Sequence, residues 1–220
     1  MKKFNKNLFF DIDRAAELRI LFSGGIESSV LVGKAVEEGL DPTPVYVSIG
    51  TRWENAEISA AKIYLEALKS GLSENMVIIK SRKKHKNPDW VHGGEDFPHS
   101  EAAVSSLELP DRNETLIREA LNYKDGQESL NILIGTTADN PFDDGREEFF
   151  QKLESQLFKE KRQKVKIIAP LHHLNKKEVI ELGRQYPLEL TLSCVAPIDG
   201  EPCNKCLKCT LREEAFVSAG

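Results

Sequence analysis

Residues 19–35 read "RILFSGGIESSVLVGKA", a short apolar run that breaks at Ser-Gly-Gly and resumes with helical periodicity. Arg19–Phe22 has the character of a buried strand. Ser28 to Glu38 reads as a helix stopped by Gly39, where a left-handed cap carries little strain. Packing alone gives no reason to gather so many small polar residues where a strand hands over to a helix. An anion on the helix start does, because it requires close backbone approach, free N–H groups and hydroxyl donors. Ser23, Gly24, Gly25, Ile26, Glu27, Ser28 and Ser29 therefore form a candidate phosphate loop, with the helix dipole aimed at the charge.

Similar units follow this one. "VYVSI" at 45–49 is short and β-branched, and the next helical pattern places Ile58, Ala61, Leu65 and Leu68 on one face. "MVIIK" at 76–80, "NILIG" at 131–135 and "VKIIA" at 165–169 supply three further strands, with helical patterns at 114–123 and 146–160. Asn175 followed by Glu178 makes a capping box, so a helix is expected from Lys176 to about Tyr186, before Pro187. This alternation predicts an α/β fold with a five-stranded parallel sheet, helices on both faces, and ligands at the carboxyl ends of the strands. Residues 81–110 lack periodicity and read as a long irregular excursion, of the kind that is usually functional or mobile.

A chain of 220 residues is expected to form one main domain with an appendage: an extension at 1–18, the α/β domain at 19–190 and a cysteine-bearing segment at 191–220. The net charge of −5 argues against a surface built throughout for nucleic acid, although the basic run "SRKKHKNP" at 81–88 leaves room for a local anionic partner. The opening residues hold too short an apolar run for a signal peptide or a membrane span, so a cytoplasmic protein is expected.

In a reducing compartment, Cys194, Cys203, Cys206 and Cys209 point to metal binding in preference to disulfides. Their overlapping C-x2-C steps can wrap one tetrahedral ion, and the loop after Cys194 lets it close the fourth position. Four thiolates leave no open site, so a structural Zn2+ is expected. An iron–sulfur cluster and labile redox thiols are the alternatives. His172-His173 could suggest a second metal pair, but adjacent residues on an extended chain point apart, and a structural role is favoured.

The Walker phosphate loop and the dinucleotide fingerprint are both absent at 19–35. Ser-Gly-Gly-x-acid-Ser directly after a strand instead resembles the pyrophosphate (PP) loop of ATP pyrophosphatases, which cleave ATP between its α and β phosphates. The usual acid there is Asp and here it is Glu27, which leaves its role open between orienting the loop and assisting Mg2+.

The segments "LFSGGIESSV", "RWENAEISAAKIYLEAL", "PDRNETLI", "IGTTADNPFDDGREEFFQKLE", "IIAPLHHLNKKEVIELG" and "TLSCVAPIDGEPCNKCLKCTLREEAF" are similar in order and spacing to the 7-cyano-7-deazaguanine synthase family of queuosine biosynthesis, over about residues 19–220. The resemblance implies a Rossmann-like nucleotide α-hydrolase (PP-loop) fold with a C-terminal zinc-binding loop. It further implies ATP with Mg2+, bound Zn2+, a homodimer and a 7-carboxy-7-deazaguanine substrate. In that family an acyl adenylate is attacked by ammonia, and a second activation dehydrates the amide to the nitrile: an ATP-dependent carbon–nitrogen ligase.

The resemblance also implies roles for residues outside the loop. Arg112 falls where the family has Pro-Gly-Arg-Asn, here Pro110-Asp111-Arg112-Asn113, and would steer phosphates or the substrate carboxylate. Asp111 in place of Gly adds a Cβ and a negative charge beside it. Asp144 and Arg146 match the Asp-x-Arg step on the substrate side, Thr191 and Ser193 match Thr-x-Ser-Cys facing the heterocycle, and Lys176 matches a lysine at a helix start. Plainer readings stay open: Arg146 could simply cap a helix, and Lys176 could be solvated.

Two other outcomes fit the same motifs. A divergent relative could pass the activated acyl group to another amine, such as a protein N-terminus, and stop at the amide. A tRNA-modifying PP-loop enzyme would need a nucleic-acid-binding appendage and, for thiolation, free cysteines. A non-enzymatic zinc-bearing binding module is the remaining class.

Overall fold

The computed structural model describes residues 8–83, 87–123 and 128–220. The basic residues 84–86 of the run at 81–88, and the first seven residues of the N-terminal extension, lie outside the described residues. Five parallel strands form one sheet: β1 (Glu17–Leu21), β2 (Thr43–Ser48), β3 (Val77–Lys80), β4 (Ser129–Leu133) and β5 (Lys164–Ile168). Their order is β3-β2-β1-β4-β5, so the chain runs outward on one side of β1 and then returns to build the other. The reversal lies between β1 and β4, where crevices for ligands open at the strands' carboxyl ends.

The alternation of β1 sorts its side chains to two cores. Leu18, Ile20 and Phe22 pack with α1 (Ile26–Glu37), α2 (Glu54–Ala67), α6 (Lys176–Leu182) and α7 (Leu207–Ala219). Leu21 turns to the opposite face, covered by α4 (Arg112–Asn122) and α5 (Glu147–Lys161). Arg19 is fully buried on that second face, with its Nε on Glu17 at 2.8 Å and its Nη1 on the Ala120 carbonyl at 2.5 Å. A one-turn helix, α3 (Leu72–Asn75), leads into the edge strand β3.

Several local expectations meet their geometry directly. Asn175 and Glu178 exchange both capping-box hydrogen bonds, at 2.9 and 3.0 Å. The helix they start ends at Leu182, short of Tyr186, with Gly183 as its C-cap, and Gly183 lies against α1 so closely that a Cβ there would meet Val30 Cγ2 at 2.4 Å. At the other junction α1 begins at Ile26, two residues earlier than the pattern indicates, so Glu27 and Ser28 belong to the helix. β1 starts at Glu17, inside the segment read as an extension. Just before it, Leu8 and Phe9 are buried, and Asp13 and Asn131 exchange hydrogen bonds of 3.1 and 2.9 Å across the start of β4.

The excursion between β3 and α4 is irregular but tied down. Its residues Val91 and Leu109 share a third apolar cluster with Trp53, Leu192 and the four cysteines. Two backbone bonds, Ser100 N–H to Lys205 C=O at 3.1 Å and Leu207 N–H to Pro98 C=O at 2.9 Å, lash it to the cysteine segment. At its end Asp111 holds a left-handed φ of 58°, a conformation that glycine takes without strain, and its side chain makes no capping bond. Asp111→Gly is therefore expected to raise stability by about 0.5–1 kcal/mol. A denaturation midpoint that does not rise in urea would refute this.

Candidate active site

A cavity of about 740 Å3 opens at the carboxyl ends of the strands, at the switch point between β1 and β4. Ser23, Gly25, Glu27 and Ser28 of the serine–glycine loop line it. Gly24 has φ +74° and is buried against α2, and its carbonyl accepts from Leu192 N–H at 2.9 Å, joining the loop to the cysteine segment. Gly25 is the N-cap of α1 and lines the cavity without a side chain. Ser23 Oγ accepts from Gly25 N–H at 3.3 Å and lies 3.4 Å from Ser28 Oγ, while Ser28 Oγ donates to the Gly25 carbonyl at 3.1 Å.

At about 100° per residue, the first turn of α1 divides its side chains. Glu27 and Ser28 line the cavity, whereas Ile26 and Ser29 are fully buried on the core side. Glu27 Oε1 pairs with Lys176 Nζ at 2.8 Å. Burial raises the Glu27 carboxyl, but the Lys176 and Lys208 ammoniums outweigh it and hold it below its ordinary value. The same Lys176 donates its backbone N–H to Asp139 Oδ2 at 3.1 Å, so two carboxylates and a cation meet at the start of α6.

Thr136, after β4, lines the cavity and is buried, yet no described residue bonds its Oγ1. A buried hydroxyl without a partner is costly, and a ligand oxygen would satisfy it.

Arg112 and Asp144 both line the cavity from the α4 side. Asp144 Oδ2 accepts from Asn113 N–H at 3.2 Å and so supplies the cap that Asp111 does not. Burial pushes the Asp144 carboxyl up, against the pull of that N–H and of Arg112. Ser193 reaches the cavity as well. Thr191 and Arg146 lie elsewhere: Thr191 Oγ1 donates to the Leu188 carbonyl at 2.6 Å and accepts from Arg212 at 2.6 Å, and Arg146 is an exposed N-cap of α5 paired with Asp143 at 3.2 Å.

Three further groups, given no role in the sequence analysis, reach the site. Glu57, from the first turn of α2, receives the Tyr46 hydroxyl on Oε2 at 2.8 Å. Burial pushes its carboxyl from 4.5 up to about 7, against Arg112 and the Tyr46 hydrogen bond. A raised acid pKa contributes most to stability below about 4.5 and loses that contribution as pH rises through about 7. Lys208 sits between two of the cysteines and is lowered to about 8, chiefly by burial and then by Lys176. Its position inside the second C-x2-C step was the available signal. Trp90, from the excursion, stacks on Trp53 with centroids 5.7 Å apart, and both line the cavity.

Cys194, Cys203, Cys206 and Cys209 are all buried, and their sulfurs lie within 4.8 Å of one another. Tetrahedral Zn–S bonds of about 2.3 Å place sulfurs about 3.8 Å apart. Cys206 Sγ is 3.9 Å from Cys194 Sγ and 3.5 Å from Cys209 Sγ. Backbone N–H groups of Ala196 and Cys203 point at Cys194 Sγ, each at 3.4 Å, as a thiolate ligand requires. Among the described residues no other group of three or more His, Cys, Asp or Glu has ligand atoms so placed. His172 and His173 contact each other at 5.4 Å, with His172 Nδ1 on the Ala169 carbonyl at 2.7 Å. No helix among the described residues is long and apolar enough to cross a membrane.

A serine–glycine loop opening a helix at the switch point of a parallel sheet, with a cysteine metal site beside it, defines an α/β protein of the PP-loop class. The chain belongs to the family described as queuosine biosynthesis protein QueC, whose sequence model matches residues 18–220. Curated relatives include a 7-cyano-7-deazaguanine synthase of Methanococcus maripaludis strain C6, 29% identical over 91% of this chain and 94% of its own. Another, from Leptospira biflexa, carries the same name and is 35% identical over 70% of this chain and 62% of its own. A solved 4-thiouridine synthetase–RNA complex with bound ATP is similar with a TM-score of 0.48 and 16% identity, over 93% of this chain and 50% of that one.

Proposed function

We propose that this chain is a cytoplasmic ATP-dependent carbon–nitrogen ligase acting on 7-carboxy-7-deazaguanine. ATP binds with its pyrophosphate on Ser23, Gly25 and Ser28, the carboxylate is adenylylated, and ammonia converts the acyl adenylate to the amide. A second ATP activates the amide oxygen, and loss of AMP with the remaining N–H protons leaves the nitrile, 7-cyano-7-deazaguanine. The observation that carries this reading is the one cavity lined by the bare Gly25 backbone, the orphaned Thr136 hydroxyl and the cation Lys176 together. A carboxylate repels nucleophiles and has no good leaving group. Adenylylation removes both obstacles, so positioning and cationic stabilisation can then carry much of the remaining chemistry.

Arg112, Lys176 and Lys208 are the cations available to the phosphates and to the substrate carboxylate. Asp144 and Ser193 are proposed to meet the heterocycle, with Asp144 accepting from its N1–H and amino group. Arg146 and Thr191 act on it only indirectly, through the ends of the elements they hold. Mg2+ would arrive with ATP and offset charge on the leaving pyrophosphate, with Glu27 and Asp139 as the nearby acids. Zn2+ on the four cysteines is structural, and the subunit is proposed to pair as a homodimer.

Incubation with ATP, Mg2+, 7-carboxy-7-deazaguanine and ammonium chloride tests the reading by mass spectrometry. The nitrile with two AMP per product supports it. AMP formation that needs a partner protein, with the acyl group on that protein's amine, assigns acyl transfer instead. No carboxylate-dependent pyrophosphate release at all refutes both.

A further inference from the structure

The amide-forming step releases a proton, and the cavity holds a group placed to take it. Glu57 enters from the first turn of α2, the turn that packs on the phosphate loop: a Cβ on Gly24 would meet the Glu57 carbonyl oxygen at 2.9 Å. Its side chain lines the same cavity as the loop on which the nucleotide is proposed to sit. Tyr46 O–H anchors Oε2 at 2.8 Å, and among the described residues nothing donates to Oε1. Lys176 holds the Glu27 carboxylate in an ion pair, and Asp144 and Asp139 each accept a backbone N–H. Glu108 and Glu214 also line the cavity but are exposed; of the other four acids on its lining, only Glu57 carries no cation or backbone amide.

We infer that Glu57 is the catalytic base of amide formation, with Oε1 taking the proton that the amine sheds as it attacks the acyl adenylate. The inference rests on the acyl-adenylate reading above. The nitrogen lone pair forms the C–N bond, one N–H proton passes to Glu57, and the C–O bond to AMP breaks with its electron pair leaving on AMP. The proton then leaves Glu57 to water as AMP departs. The groups facing Glu57 suit this cycle: Arg112 on α4 and Lys208 on α7 favour its anion, and Glu54 on its own helix opposes it. With burial added, the carboxyl titrates at about 7, close to where proton-transfer catalysis is most effective near neutral pH.

Glu57→Gln keeps the shape and removes the proton acceptor. Carboxylate-dependent exchange of labelled pyrophosphate into ATP, which reports adenylylation alone, is expected to stay within about twofold of the parent. Ammonia-dependent amide formation is expected to fall by about 10²–10⁴-fold. Hydroxylamine, whose adduct loses its proton to water unaided, is expected to give hydroxamate at close to the parent rate. In the parent, the amide rate per free ammonia should rise with pH and level off above about 7. That inflection should vanish in Glu57→Gln and move upward in Tyr46→Phe, which lacks the hydrogen bond favouring the anion.

Amide and hydroxamate falling together, or exchange falling with them, would mean that Glu57 binds substrate or holds the fold, and would overturn the inference. Amide formed at the parent rate while exchange persists overturns the role of Glu57 alone. Absence of exchange in the parent protein overturns the acyl-adenylate reading and this inference together.

Discussion

Cys206→Ala is expected to abolish the metal binding proposed for the cysteine cluster and to loosen everything from Thr191 onward. Cys206 stands at the centre of the cluster, 3.9 and 3.5 Å from two other ligand sulfurs and with no exposed surface. Zinc bound to four such ligands contributes about 10–16 kcal/mol in small peptides, as much as or more than the net stability of about 5–15 kcal/mol of a typical domain. The consequences reach the proposed active site because the metal loop is a junction. Leu192 binds the phosphate loop through the Gly24 carbonyl, Lys205 and Leu207 hold the excursion, and Lys208 reaches into the cavity. Chelator treatment of the parent should reproduce the variant. The checks are metal content by mass spectrometry, thermal unfolding and proteolysis of the C-terminal segment. A variant that keeps one equivalent of zinc and the parent melting temperature would refute the four-cysteine site.

Gly24→Ala is expected to be nearly as damaging, and Gly25→Ala to act quite differently. The Cβ of an alanine at 24 would stand 2.9 Å from Ala61 N and from the Glu57 carbonyl oxygen, backbone atoms that no side-chain rotation can move away. The backbone also holds φ +74° there, which costs an L-residue about 1 kcal/mol, and overpacking adds about 1–3 kcal/mol. Relief requires α2 to retreat, which carries Glu57 with it. At Gly25, φ is −79°, and the nearest atom to an added Cβ is the flexible Ser23 Oγ at 3.3 Å. The fold should accept Gly25→Ala or Gly25→Val with a melting temperature near the parent's, while the new side chain occupies the proposed pyrophosphate position. Gly24→Ala should therefore lower both melting temperature and turnover, and Gly25→Val should lower turnover alone. Unchanged turnover in Gly25→Val would remove the nucleotide from the loop.

The strands, most of the helices, the serine–glycine loop that opens α1 and the clustering of the cysteines were legible in the chain because each rests on a local spacing. Alternating apolar residues make β1, paired Asn175 and Glu178 start α6, and Cys-x2-Cys can close on one ion whatever surrounds it. Which side chains face the cavity was not legible, because that depends on how distant elements pack. Arg146 and Thr191, themselves expected on the substrate side, turn to Asp143 and Arg212, while Glu57 and Lys208, given no role in the sequence, line the cavity. The excursion, aperiodic and unreadable by itself, is held by backbone bonds to a loop about a hundred residues later. Local spacing thus determined the elements and the cysteine cluster of this protein. The strand order, the switch point and the direction of each cavity side chain were decided only in the tertiary structure, where contacts between residues far apart in the chain select one arrangement of those elements.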